Sequence, residues 1–182
     1  MDPRPRERPP LDGALWLRPL RASDEAPARA AHEAMRAESF PFLLGYSDGE
    51  PWERYLERLA ANARGEELPE RWVPTTFLAA AVAGELVGRI SVRHSLSEWL
   101  ATYGGHIGYA VIPSMRRRGY ATEMLRKGLV IARAVGIEDV LVTCDVDNVA
   151  SAGVIESCGG EFESIASGEF PPKRRYWFRL RR

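Results

Sequence analysis

Only two of the 182 residues are cysteines, Cys144 and Cys158, too few for a disulfide scaffold. No apolar run approaches the ~20 residues that cross a bilayer. Residues 1–10 are rich in proline and arginine with no apolar stretch behind them, so the pattern of a signal peptide is missing. The expectation is a cytoplasmic chain with a short disordered leader, 1–12, followed by one domain over 13–182. Net charge is lacking too, because Lys plus Arg and Asp plus Glu each total 25. That argues against a nucleic-acid binder, which shows a basic excess on one face. Lysine itself is scarce: Lys127 and Lys173 stand alone among the basic residues, the rest being Arg. With the many Ala, Gly and Pro, this reads as GC-rich coding rather than a binding device. Three histidines and two cysteines lack metal-ligand spacing, so no metal is expected.

What the sequence has is the balance of a globular domain, 45% hydrophobic and 27% charged, at a length that buries a sizeable core. Residues 14–18 alternate as a first strand. Ser23 or Asp24 caps a helix reaching about residue 37, and Pro51 opens a second, with Trp52, Tyr55, Leu56, Leu59, Ala60 and Ala63 on one face. Between them, 38–50 holds Pro41, Gly45 and Gly49 and reads as a loop. Residues 76–82 and 86–92 flank Ala83-Gly84-Glu85 as a hairpin. A third apolar strand, 106–112, stops at Pro113. Ala121, Met124, Leu125, Gly128, Leu129, Ala132 and Val135 make a helical stripe; 140–144 is a short buried strand; Asn148 starts a helix ending near Cys158; and 175–180 is a last strand. This order indicates one α/β domain.

The informative stretch is 105–122, GHIGYAVIPSMRRRGYAT. A strand ends at Pro113, a turn carries Arg116-Arg117-Arg118-Gly119-Tyr120-Ala121, and a helix begins. The first N–H groups of a helix point outward with partial positive charge and bind phosphate. Gly119 and Ala121 keep side chains out of an anion's way, and the arginines add forked donors. No Gly-Lys-Ser/Thr follows, which excludes a Walker loop.

These residues resemble the signature of the GCN5-related N-acetyltransferases (GNAT), Gln/Arg-x-x-Gly-x-Gly/Ala, matched by Arg116, Gly119 and Ala121. Asp147-Asn148 with Ser151 looks like that family's second CoA-contacting region, and the element order matches over nearly the whole domain. HSLSEW, GGHIGY and TCDVDNVAS look like one bacterial branch of predicted acetyltransferases of unassigned substrate. The resemblance implies an α/β fold with a mostly antiparallel central sheet, splayed fourth and fifth strands, and helices on both faces. It implies acetyl-CoA as co-substrate and an amine as acceptor. Tyr109, Ala110, Val111 and Ile112 would line pantetheine; the amides of Arg116, Arg117, Arg118, Gly119, Tyr120, Ala121 and Thr122 would hold pyrophosphate; Asn148 would bond pantetheine with Ser151 nearby. Two departures stand out. Ile155 occupies the position, seven after Asn148, where many members carry an acidic Tyr, and Gly159-Gly160 replaces the usual Gly-Phe.

Each feature has a plainer alternative. The arginine run is also what a solvated charged surface looks like, and Asn148 is also an ordinary helix cap. His106 stands where some relatives carry a Glu base, or is a sheet histidine; Tyr176 is a candidate proton donor, or core. Cys144 is read as core, Cys158 as near the thioester or packing, and His32 as helix surface. Trp99 and Tyr103 floor a substrate pocket or pack a homodimer. Glu38, Asp48, Glu50, Glu163 and Glu169, in the expected acceptor loops 38–50 and 163–173, hint at a cationic acceptor. The expected activity is acetylation of a primary amine on a small molecule; the alternatives are acetylation of a protein N-terminus and a CoA-binding sensor without turnover.

Overall fold

Alternation of apolar residues puts β1 (Leu15–Arg18) antiparallel to β2 (Thr75–Val82), and β2 turns into β3 (Glu85–Arg93) through Ala83 and Gly84, whose φ values of 49° and 89° suit a tight hairpin. β4 (Ile107–Val111) completes a four-stranded antiparallel sheet, β1-β2-β3-β4. A second sheet of three strands runs β5-β7-β6, from β5 (Asp139–Asp145), β6 (Glu161–Ala166) and β7 (Lys173–Arg179). The structure, a computed structural model, describes residues 13–180 apart from Ser39 and Glu67, so the expected leader lies outside the described residues. No helix among the described residues is long and apolar enough to cross a membrane.

Helices cover both faces of the first sheet, as expected. On one face α1 (Glu25–Arg36) and α2 (Trp52–Arg64) bury Ala28, Met35, Trp52 and Tyr55 against Phe77, Ala79 and Ala110. On the other, α3 (Tyr120–Ala134) buries Met124 and Leu125 against Ile90 and Ile107, and α4 (Val149–Ser157) packs beside α3 against β5 of the second sheet, burying Ile155 in the same core as Val142 and Tyr176. Gly128 lets α3 lie close on the sheet: a Cβ there would stand 2.5 Å from Ile90 Cδ1.

Two local readings are corrected. The loop after α1 is anchored by His32, whose Nδ1 accepts the Leu43 N–H at 3.0 Å, so His32 is not a mere surface residue. The stretch read as an acceptor loop over 163–173 contains most of β6, which leaves 167–172 as the connection. β6 is an edge strand with no buried residue, so it carries no inward-facing apolar alternation to betray it. Between β3 and β4, Leu100–Gly104 folds as a turn of π-helix that ends at Gly105.

The two sheets meet where β4 begins. The His106 N–H donates to the Leu141 carbonyl at 2.7 Å, while the Leu141 N–H goes to His106 Nδ1 at 3.0 Å. A side chain thus takes the place of the next ladder rung. Gly105 allows the approach, since a Cβ there would lie 2.7 Å from the Leu141 oxygen. Beyond this junction β4 and β5 belong to different sheets and diverge, the expected splay.

Candidate active site

The divergence opens a cleft of about 580 Å³ between β4, the turn before α3, and the start of α4. Its walls hold eleven of the thirteen residues expected to bind the co-substrate: Tyr109, Ala110 and Val111 from β4, Arg116, Arg117, Gly119, Tyr120, Ala121 and Thr122 from the turn and helix, and Asn148 and Ser151 across the gap. Ile112 and Arg118 are not among the lining residues: Ile112 packs toward the α1–α2 core, its N–H tied to the Val87 carbonyl at 3.0 Å, and Arg118 is exposed. The sequence reading missed the wall from the other core, Met35 and Phe40, together with Met115, Asp145, Ala150 and Val154; Glu38, expected in an acceptor loop, lines the cleft as well.

The turn has the geometry of an anion cradle. Arg117 and Gly119 have φ values of 67° and 83°, and alternating backbone handedness turns successive N–H groups toward one hollow. The first helical bond of α3 runs from the Glu123 N–H to the Gly119 carbonyl at 3.2 Å. The amides of Tyr120, Ala121 and Thr122 therefore precede any intrahelical acceptor and face outward. Asn148 does cap α4: its Oδ1 accepts the Ser151 N–H at 2.9 Å. Arg116 is engaged twice, in a forked pair with Glu38 at 2.9 and 2.7 Å and with the Val111 carbonyl at 3.3 Å.

Tyr109 spans the cleft. Its hydroxyl lies 2.9 Å from Ser151 Oγ, and burial raises its pKa well above the ordinary phenol range. The two residues expected to handle protons sit elsewhere and do not line the cleft. His106 is buried at the strand junction with Nδ1 occupied; burial, helped by the Arg93 charge, lowers its pKa to about 4, so it is neutral and weakly basic at pH 7. Tyr176 is buried on β7 and donates to Glu156 at 2.8 Å; burial and that carboxylate raise it to about 12. Ile155 is wholly buried, so nothing reactive takes the family's Tyr position. Cys144 is core, with burial raising its thiol to about 11. Cys158 Sγ lies 3.7 Å from the Thr122 carbonyl, behind the cradle.

The acidic residues that hinted at a cationic acceptor are mostly neutralised within the fold. Glu38 pairs with Arg116, Asp48 with Arg36, Glu50 with Arg58 and Glu163 with Arg175. Trp99, Tyr103 and Phe170 instead gather into a half-exposed aromatic cluster, with ring centroids 5.1–6.3 Å apart.

Residues 14–161 match the family model described as an acetyltransferase (GNAT) domain. The chain belongs to the GNAT acetyltransferase family. GNAT proteins also supply its structural neighbours. RimJ of Mycobacterium smegmatis, solved in complex with CoA-disulfide, superimposes with a TM-score of 0.68 at 22% identity over 92% of this chain and 82% of that one. An acetyltransferase of Salmonella typhimurium that modifies the N-terminal serine of a 50S ribosomal subunit protein gives 0.65 at 19% over 94% and 98%. The yncA acetyltransferase of the same organism, solved with acetyl-CoA, gives 0.60 at 16% over 93% and 95%. At such identities the likeness is one of fold. A comparison with curated protein sequences finds no match.

Proposed function

We propose that the cleft binds acetyl-CoA and that the protein transfers the acetyl group to a primary amine of a small molecule. The observation that carries this reading is the turn 116–122: three outward amides, a left-handed Gly119 and two lining arginines at the mouth of a cleft between separating strands. The residues fit a pyrophosphate followed by a slender arm, and bound acetyl-CoA would supply the activated acyl group. The protein's share is chiefly positioning. The amine nitrogen attacks the thioester carbonyl carbon; the C–N bond forms as the C–S bond breaks, and the proton shed by nitrogen is matched by one taken up at sulfur.

Tyr109 is the group we assign to give that proton. Its hydroxyl lies in the cleft, is kept protonated by burial, and is held by Ser151 on the helix from which many relatives present their Tyr. His106 is read as a positioning residue, because its Nδ1 holds the strand junction. A second reading, acetylation of a protein N-terminus, is favoured by the likeness to RimJ and to the N-terminal serine enzyme. The test is free-thiol release from acetyl-CoA with small primary amines and with short peptides bearing free N-termini. Release with small amines supports the first reading, and release with peptides alone favours the second. Binding by calorimetry with no release from any amine leaves a sensor, and no binding removes the proposal.

A further inference from the structure

β3 carries Arg89, Ser91 and Arg93 on one face, since alternate strand residues point the same way. That face is the one covered by α1 and α2. Arg89 is 4% exposed, and among the described residues its guanidinium donates only to neutral oxygens: Phe42 and Pro41 carbonyls at 3.0 Å, the Gly108 carbonyl at 3.3 Å and Ser91 Oγ at 3.4 Å. Arg93 donates through Nη1 to the Gly104 and Gly105 carbonyls at 3.2 and 3.1 Å. Burial lowers both below the usual arginine value, to about 9 and about 10, so both stay charged at neutral pH. No described carboxylate pairs with either or contributes to either shift. Two charges drawn from water without an opposite charge are costly to keep, and carbonyl clamps alone would be served by neutral donors.

The two guanidiniums converge on one place. Gly108 pairs with Ser91 across the sheet. The three nearest atoms to a Cβ built on it are all donors: Ser91 Oγ at 3.2 Å, Arg89 Nη1 at 3.7 Å and Arg93 Nη1 at 3.8 Å. Gly108 remains partly exposed although Arg89 and Ser91 are buried, so this hollow reaches solvent. It also adjoins the cleft. Gly108 immediately precedes the lining residues Tyr109 and Ala110, Ala110 is the sheet partner of Arg89, and the lining residue Phe40 lays its ring 4.7 Å from the Arg89 guanidinium.

We propose that the hollow over Gly108, faced by Arg89, Ser91 and Arg93, is a subsite for an anionic group of the acceptor, which is therefore an amine carrying a carboxylate or a phosphate a few bonds from its nitrogen. The short connection follows from strand geometry: alternate residues share a face, and Ala110, the cleft-lining residue on the same face as the hollow, lies two residues from Gly108, ~6.6 Å along the strand. The inference rests on the acetyltransferase reading and names its substrate class. The choice of Arg over Lys follows from the fork: Arg93 holds carbonyls through Nη1 and has Nε and Nη2 left to meet an anion, whereas Arg89, bonded through all three nitrogens, contributes its charge.

The experiment compares matched acceptors with acetyl-CoA held saturating: α-amino acids against their carboxamides, and phosphoethanolamine against ethanolamine. The anionic member of at least one pair should show a kcat/KM about 10- to 100-fold higher, the range of one charged hydrogen-bonding group, and which pair responds tells carboxylate from phosphate. Arg93→Gln should bring that ratio to within about threefold, as one charged contact is lost, with acetyl-CoA affinity unchanged. Gly108→Ala, which fills the hollow with a methyl but spares both arginines, should do the same. Equal kcat/KM within both pairs, or a preference untouched by both variants, overturns the proposal. A second readout needs no turnover. With CoA saturating and ionic strength held by chloride, acetate or inorganic phosphate should raise the Tm of wild type but not of Gly108→Ala; no rise with either anion also overturns it. Failure of acetyl-CoA to bind would instead remove the acetyltransferase reading on which the subsite depends.

Discussion

His106, just before β4, and Tyr109, three residues on within it, have opposite surroundings, and each makes a separate prediction. Tyr109→Phe removes a hydroxyl while leaving the ring on the cleft wall. If that hydroxyl protonates the departing thiolate, kcat should fall by about 10²–10⁴, the usual range for a general acid, with little change in acetyl-CoA affinity by calorimetry. An unchanged kcat would return the phenol to a packing role beside Ser151. His106 is neutral in the folded chain down to about pH 4, whereas an unfolded histidine binds its proton near about 6.5. Between those values the unfolded state holds more protons, so stability is full above about 6.5 and falls as pH drops toward 4. His106→Asn, which keeps an acceptor for the Leu141 N–H, should flatten that part of a denaturation-midpoint-versus-pH curve and leave the neutral-pH rate limb in place. A limb lost with the imidazole would make it a base after all. At this scale the sequence was most legible where chemistry is local. Gly119, Ala121 and Asn148 act through backbone conformation and capping, which adjacent residues dictate. The partners of Tyr109, Arg89 and Arg93 come from strands and helices far along the chain, and no spacing rule announces them.

The elements that frame the cleft were legible in proportion to how much apolar pattern they bury. β2, β3 and α3 carry long buried stripes and fell where expected. β6 exposes both Phe162 and Ile165 at the sheet edge and reads as loop. The splay of β4 from β5 was an expectation from family likeness, and its physical origin emerges only in three dimensions, as a histidine side chain standing in for a ladder rung beside a glycine. Gly105 has φ 65° and ψ −178°, a region that side chains other than glycine's avoid, and a Cβ there would meet the Leu141 backbone. Gly105→Ala should therefore cost more than about 2 kcal/mol in chemical denaturation. Because the displaced atoms form the junction from which β4 and β5 diverge, it should also weaken acetyl-CoA binding, which Gly136→Ala, at a positive-φ glycine on an open turn after α3, should not. A Gly105→Ala protein with native stability and native affinity would mean that the junction tolerates a side chain and does not set the splay.

Across the whole molecule, the cleft is the seam between two cores. Met35 and Phe40 belong to the core beneath α1 and α2, while Tyr120 and Val154 belong to the one beneath α3 and α4, and all four line the same cavity. A ligand filling it touches both cores at once and binds only where the two are docked. It should therefore stabilise the chain as one unit, sharpening a single transition rather than protecting one half. At a hundredfold excess over its dissociation constant, a ligand specific for the native state adds about 2.7 kcal/mol. For a chain of this size each kcal/mol raises Tm by about 2–4 °C, so acetyl-CoA should shift the melt by about 5–11 °C. The shift should grow with the logarithm of ligand concentration. Calorimetric melts with and without acetyl-CoA measure both features, with adenosine bisphosphate as a control that fills the phosphate cradle without the pantetheine arm. A smaller shift for the bisphosphate at equal saturation is not expected, since mass action depends only on occupancy; what should differ is hydrogen exchange. Amides at the start of α3 should slow with either ligand, whereas β4 amides along the cleft wall should slow only with acetyl-CoA. Equal protection of β4 by both would mean that the arm does not enter between the strands.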